Sequence, residues 1–310
     1  MNAALLLFAY ASALIWVGPV LLRRVTGTGV HPRLAVASWL SAVFAAIAAW
    51  VGALVFLGAA VLDSIWRHRA LALCLKELGL AGELGLPRGI ASALAVGVLS
   101  TGAVATVIVC WRMGRQLRRQ RSASRLHAAT ARTIGGASDW PGVVVVPAPQ
   151  PAAYCVTGRP NSVIVVTSGA LGRLDEPQLA AVLAHEYAHL ASRHHDLLMA
   201  LRALASSLPR LPLFAAAAKV VADLLEMCAD DVAVRSHGKM ALLRGLLALT
   251  EGPAMAPAAL GAANTATVAR AERLAISVSR RSWWQERLML WATIGLAVVS
   301  PMFLGLACRL

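Results

Sequence analysis

The chain is short of charge. Only 14% of its 310 residues are charged, against 58% apolar, and just 15 of them are acidic. A soluble globular domain sits nearer half apolar and a quarter charged, so an ordinary soluble fold is not expected. Cysteine is sparse and unpaired in pattern. Cys74, Cys110, Cys155, Cys228 and Cys308 form no C-x-x-C unit, which removes a thiolate zinc site and a dithiol redox motif. Their odd number argues against a disulfide framework. There is no internal repeat. No nucleic-acid-binding motif accompanies the net charge of +14, so nucleic acid is not an expected partner. Lysine is nearly missing too: Lys76, Lys219 and Lys239 stand among 29 basic residues.

What is abundant is apolar sequence in long runs. Residues 3–22, 34–62, 90–111 and 288–308 each lack any charge, and each is long enough to span a bilayer as a helix. The start is uncharged, unlike a signal peptide, so the first run is expected to remain as an anchor. Basic residues follow these runs. Arg23, Arg24 and Arg33 lie in the first connection. Arg112, Arg115, Arg118, Arg119, Arg121 and Arg125 follow the third run, and Arg280, Arg281 and Arg287 precede the fourth. The positive-inside rule then places the first and third connections in the cytoplasm, next to anionic lipid headgroups. The second connection, from Asp63 to Gly89, mixes both signs.

The expected fold is a multi-span α-helical membrane protein with an inserted α+β cytoplasmic domain. Residues 1–111 would hold three transmembrane helices (about 3–22, 34–62 and 90–111). Residues 112–287 would form the cytoplasmic domain and 288–310 the fourth span. Within that domain, Val143–Val146 reads as a strand. The runs 153–157 and 162–167 flank Gly158-Arg159-Pro160-Asn161 and read as a hairpin. Asp175, with Pro177 behind it and Gln178 three residues on, has the pattern of a capping box, and predicts a helix to about Ser192. Residues 197–225 are apolar but broken by Pro209 and Pro212 and dotted with Arg202, Arg210 and Lys219. They predict two helices, packed on the preceding helix or lying at the membrane surface.

That helix would carry His185-Glu186-Tyr187-Ala188-His189, an H-E-x-x-H motif. Positions i and i+4 share one helical face, so both imidazoles can reach one zinc ion. Glu186 lies about 100° around the helix, beside the metal rather than on it, where it can take a proton from water. A catalytic zinc needs a third protein ligand. Glu226 is the candidate, and Asp230 one turn later is placed to accept the free ring N–H of a ligand histidine, His185 first. Asp223 and Asp231 are the competing acids. For the oxyanion, His237 or Arg235 would serve if the same helix runs that far. Tyr187 reads as packing. His194 and His195 read as caps on the last carbonyls of the helix.

H-E-x-x-H followed by a separate E-x-x-x-D resembles the gluzincin arrangement. Together with membrane spans it resembles the membrane-bound metallopeptidases of the CAAX-prenyl-protease and heat-shock-protease type, and still more the beta-lactam-sensing antirepressor proteases. Thr167-Ser168-Gly169-Ala170-Leu171, leading into Leu179 to His189, carries most of the likeness. The resemblance implies a zincin-like fold for the inserted α+β cytoplasmic domain, one zinc per chain, a protein or peptide substrate, and the strand edge near Ala152 to Val156 holding that substrate as an added strand. Sensor members carry a large extracellular ligand-binding domain after the last span, and this sequence ends at Leu310, so direct beta-lactam sensing through such a domain is not expected. The expected function is a membrane-tethered zinc metalloendopeptidase in regulation or quality control. The alternative is a signalling membrane protein whose zinc domain acts mainly as a conformational switch.

Overall fold

A computed structural model of the chain describes residues 3–66, 88–158, 162–250, 270–274 and 279–307. The apolar runs become helices α1 (Ala3–Trp16), α2 (Gly18–Thr26), α3 (Pro32–Trp66) and α4 (Arg88–Ile134). The first run is not one straight rod. Pro19 lies in the first turn of α2, and α1 and α2 meet at Val17 with a 50° bend. Proline supplies no N–H, and its ring clashes with the carbonyl four residues back. The third run does not stop where its apolar residues stop. α4 is 47 residues long and carries on through the arginine cluster, because arginine is a good helix former and no proline interrupts it. Among the described residues, two helices are long and apolar enough to cross a membrane, within Pro32–Ala59 and Val96–Ile134, or three if the bent pair counts as one span. The fourth expected span falls in the last helix, α10 (Arg280–Ala307). Residues 308–310, the turn at 159–161 and most of the second connection lie outside the described residues.

Phe44, Val55, Leu62, Val104, Val107, Leu288, Leu296 and Val298 are exposed on α3, α4 and α10, a belt of apolar surface that only lipid or partner protein can cover. Inside, α1, α2, α3 and α10 close around Trp39, which is wholly buried and donates its indole N–H to Thr26 Oγ1 at 3.1 Å. Two further helices, α7 (His194–Ser207) and α8 (Pro212–His237), pack on the same core through Leu201, Leu204, Leu213, Phe214, Val221, Leu224 and Leu225. They are the two helices expected from 197–225. Their packing ties α8 to the membrane helices as well as to the helix that carries H-E-x-x-H.

The remaining layer is a four-stranded sheet of β1 (Gly136–Ala137), β2 (Val143–Val146), β3 (Ala153–Val156) and β4 (Val163–Thr167), in the order β1-β2-β4-β3. β3 and β4 pair antiparallel from Ala153↔Val166 to Val156↔Val163, as the hairpin reading expects, and β2 lies parallel to β4. β4 is buried along its whole length. Its side chains alternate between faces. Val163 and Val165 meet Ala128 and Ala131 of α4, while Ile164 and Val166 meet Leu179, Val182 and Leu183. Those leucines belong to α6 (Glu176–Ala191), which follows the short α5 (Ser168–Leu171). α6 opens on the expected capping box of Asp175 and Gln178. After α8, helix α9 (Lys239–Thr250) packs back on α6, with Leu242 wholly buried beside Ala181 and Ala233.

At the start of α5 the chain passes over its own backbone. Gly169 donates its N–H to Ala148 O at 2.9 Å, and a Cβ at Gly169 would stand 2.2 Å from Pro149 O and 2.6 Å from Pro149 C. Backbone cannot yield as a side chain does. Gly169→Ala is therefore expected to destabilise the domain by about 1–3 kcal/mol, read as a lowered melting temperature of the purified protein. Gly172→Ala, where the nearest atom is 3.6 Å away, is the matched control and should melt near the wild type.

Candidate metal centre

His185 and His189 sit one turn apart on α6, both buried. Their Nε2 atoms are 3.1 Å from each other. From α8, Glu226 brings Oε2 to 3.4 Å of His185 Nε2 and Oε1 to 3.5 Å of His189 Nε2. One donor atom from each residue lies within 4.8 Å of the others. Two imidazole nitrogens and one carboxylate oxygen at this spacing suit a single zinc ion.

The outward nitrogens are engaged as well. His185 Nδ1 lies 3.1 Å from Asp230 Oδ1. Asp230 is 0% exposed, and a carboxylate taken out of water that completely must be paired. His189 Nδ1 lies 3.0 Å from His194 Nδ1, so one of these rings donates to the other. Each imidazole thus turns Nε2 to a common point and holds its ring by Nδ1, the arrangement that fixes tautomer and orientation in metal-binding histidines. The role read for His194 from sequence is therefore corrected. It does not cap the α6 carbonyls, where Ser192 and Arg193 donate their backbone N–H groups to Ala188 and Leu190. It is turned back onto His189 by Arg193, whose φ of 54° is the only left-handed non-glycine value among the described residues. His195 instead reaches Cys155 Sγ, 3.7 Å from its Nδ1.

A further residue of this cluster has no counterpart in the sequence reading. Arg270 enters from the helical segment 270–274. It donates Nε to Asp230 Oδ2 at 2.8 Å and a second nitrogen to Asp230 Oδ1, while Nη1 stands 3.2 Å from Glu226 Oε2. Arg273 ties the same segment to Gly29 O at 2.8 Å and to Asp231 at 2.7 Å. Neither arginine belongs to a motif, and no spacing in the sequence points to them.

These contacts set the charge states. Burial works against the Asp230 and Glu226 carboxylates, but Arg270 and His185 outweigh it at Asp230, and His185, His189 and Arg270 do so at Glu226. Both fall to about 2. Burial also opposes protonation of His185, yet hydrogen bonds to Asp230 and Glu226 carry it up to about 9. At His189 burial wins and the value drops to about 4. Glu186 is pushed above the usual carboxylate range by burial and by the Glu226 charge, against the pull of His185. Its carboxylate also raises the proton affinity of the buried Cys155 thiol on β3, after burial itself, which puts it at the junction of the metal-binding cluster and the sheet edge.

Other expected positions fall elsewhere. Tyr187 packs on the sheet-side core and donates its hydroxyl to Pro141 O at 2.6 Å. Asp223 is exposed, and Asp231 is taken by Arg273. His237 and Arg235 are exposed at the far end of α8. Eleven residues of helix set His237 about 16 Å along the axis from Glu226. The structure does not bring either one to the cluster, and the cation that does reach it is Arg270.

The chain matches the model of peptidase family M48 over residues 115–281. It belongs to that family. The M48 match runs from the arginine cluster of α4 to the start of α10 and takes in every residue of the candidate centre. Among curated proteins, it is similar to the protease HtpX homolog of Moorella thermoacetica, 39% identical over 88 residues, which are 28% of this chain and 29% of that one. The corresponding HtpX homolog of Campylobacter hominis is 37% identical over 82 residues, or 26% and 28% of the two chains. That of Acidiphilium cryptum is 46% identical over 59 residues, or 19% and 20%. The aligned part spans less than a third of the length of these curated relatives. No solved structure matches the chain. Membership of M48, with these names beside it, agrees with the resemblance to the CAAX-prenyl-protease and heat-shock group.

Proposed function

We propose that this M48 protein is a membrane-tethered zinc metalloendopeptidase. It would hydrolyse peptide bonds in cytoplasmic or membrane-proximal proteins, with the α+β domain inserted between the third and fourth of four spans. The observation that carries the reading is the convergence of His185, His189 and Glu226 within 4.8 Å, with Glu186 one residue from a ligand. The basic residues of the first and third connections favour a cytoplasmic domain, and the exposed apolar belt on α3, α4 and α10 favours a multi-pass cell-membrane protein. Regulation or quality control is the role that such a placement suits.

In this reading His185, His189 and Glu226 hold zinc, Asp230 and His194 hold the two rings, and Arg270 holds both carboxylates. Bound zinc would polarise the scissile carbonyl and make an attacking water more acidic. Glu186 takes the proton of that water and returns it to the leaving amine. Burial raises its proton affinity, which suits a group that must accept and then release a proton near neutral pH. The free edge of β3 runs past Glu186 at Cys155, so an extended substrate segment can pair with it through backbone hydrogen bonds.

The test is proteolysis by the purified full-length protein in nanodiscs, with an unfolded fluorescent protein substrate. Hydrolysis should be lost on incubation with a zinc chelator and return on adding about one equivalent of zinc. Cleavage that continues undiminished in a metal-free preparation would remove the zinc peptidase reading.

A further inference from the structure

The arginine cluster after Trp111 is one run in sequence but two faces in space. At about 100° per residue, Arg112, Arg115 and Arg119 share one sector of α4. Arg118, Arg121 and Arg125 share another, beside the Ala128 and Ala131 face that packs on the sheet. The first face behaves as an interfacial one, with Arg115 stacked over Trp111 at 5.5 Å. Arg121 and Arg125 lie about 15 and 21 Å along the helix from Trp111.

Arg121 and Arg125 instead line a cavity of about 200 Å³ together with Thr157, Asp196 and Met199. Asp196 is the one acid among the residues that line it, against two arginines. The cavity is therefore net cationic. Its wall at Thr157 is fixed to α4 by Ser124, whose hydroxyl donates to Thr157 O at 2.6 Å. Thr157 lies two residues beyond Cys155 on the outgoing end of β3. At about 3.3 Å per residue, that is some 7 Å from the point where β3 passes Glu186. His195 and Asp196, neighbours on α7, join the two places, since His195 touches Cys155.

We infer that Arg121, Arg125 and Thr157 form an anion-selecting subsite that takes an acidic side chain of the substrate strand two to three residues from the scissile bond. The inference rests on the peptidase reading above. A strand laid along β3 leaves the sheet edge beside Thr157, and its side chain there faces two guanidinium groups against a single acid, Asp196. Charge-assisted hydrogen bonds of this kind are strong enough to dominate the choice at one position.

The experiment uses the full-length protein in nanodiscs and fluorogenic peptides sharing one cleavable centre. Asp, Asn or Lys is placed at each of three positions on either side of it. At one position, two or three residues from the cut, Asp should exceed Asn in kcat/KM by about tenfold, and Lys should fall below Asn. In Arg121→Gln/Arg125→Gln the Asp to Asn ratio should drop to about one, and in Arg121→Glu/Arg125→Glu the order should reverse in favour of Lys. Zinc content and melting temperature report the folding of each variant. An acid preference absent from the wild type, or surviving in the double glutamine variant, overturns the subsite. So does a preference that follows the anionic lipid content of the nanodisc and not the arginines, which would return these cations to the membrane. A wild type that cleaves none of the peptides with zinc bound is a different result: it sinks the peptidase reading and the subsite with it.

Discussion

Glu186→Gln is expected to stop proteolysis while leaving zinc in place. Proteolysis should fall by about 10²–10⁴-fold, the range that a positioned general base contributes, and metal content should stay at one ion per chain. The separation follows from geometry. Glu186 is absent from the His185, His189, Glu226 cluster, and its carboxyl is turned toward Cys155 on β3. Glutamine keeps the size and the hydrogen-bonding reach of glutamate but cannot hold a proton in transit. The measurement pairs kcat/KM with zinc analysis of the same preparation. Cleavage at the wild-type rate would take Glu186 out of the mechanism. Loss of zinc together with activity would make it a ligand instead.

Glu226→Ala is expected to do the reverse and empty the site. Removing it leaves two imidazoles, whereas catalytic zinc is held by three protein ligands. The drop in zinc affinity should exceed the 10–100-fold that loss of an outer partner costs. It also frees Arg270, which stands 3.2 Å from Glu226 Oε2, to face two imidazoles with one fewer negative charge beside it. Competition with a fluorescent zinc chelator measures the effect directly, without relying on activity. Full affinity retained in Glu226→Ala would mean that another acid completes the site. Asp231 and Asp223 could do so only by rearrangement, one being paired with Arg273 and the other exposed.

The two variants bear on different elements, and α8 is where they meet. One face of this helix packs Leu213, Phe214, Val221 and Leu224 into the core shared with α1, α2, α3 and α10. Its next turns present Glu226 and Asp230 to α6. The connection between α2 and α3 reaches the same place, since a Cβ at Gly29 would stand 2.7 Å from Met227 Sδ, and Arg273 donates to Gly29 O. The candidate centre therefore shares a rigid element with the membrane helices.

Much of this was legible in the residues alone, wherever the signal is local. The capping box at Asp175 and Gln178 is written in four consecutive residues. The alternation of β4 follows from its period of two. The pairing of His185 with His189 follows from 3.6 residues per turn, and the E-x-x-x-D spacing puts Glu226 and Asp230 on one face. Local spacing could not say where a helix stops when nothing breaks it. α4 runs on through its arginines to Ile134, and a single proline bends the first span. Nor could spacing along one helix place His237, which shares the face of Glu226 but stands three turns too far away.

By itself, then, the sequence determined the apolar helices, three of the four strands and the residue types that can bind zinc, because each depends on neighbours within a turn or a pleat. Only the tertiary structure decided which groups surround them. Arg270 comes 40 residues after Asp230 in the chain, and His194 returns to His189 through one left-handed residue. Arg121 and Arg125 stand beside Thr157 at the end of β3 because of the way α4 packs on the sheet. The reason is physical: burying a charge requires a partner, and that partner is chosen by where the folded backbone passes, not by its distance along the chain.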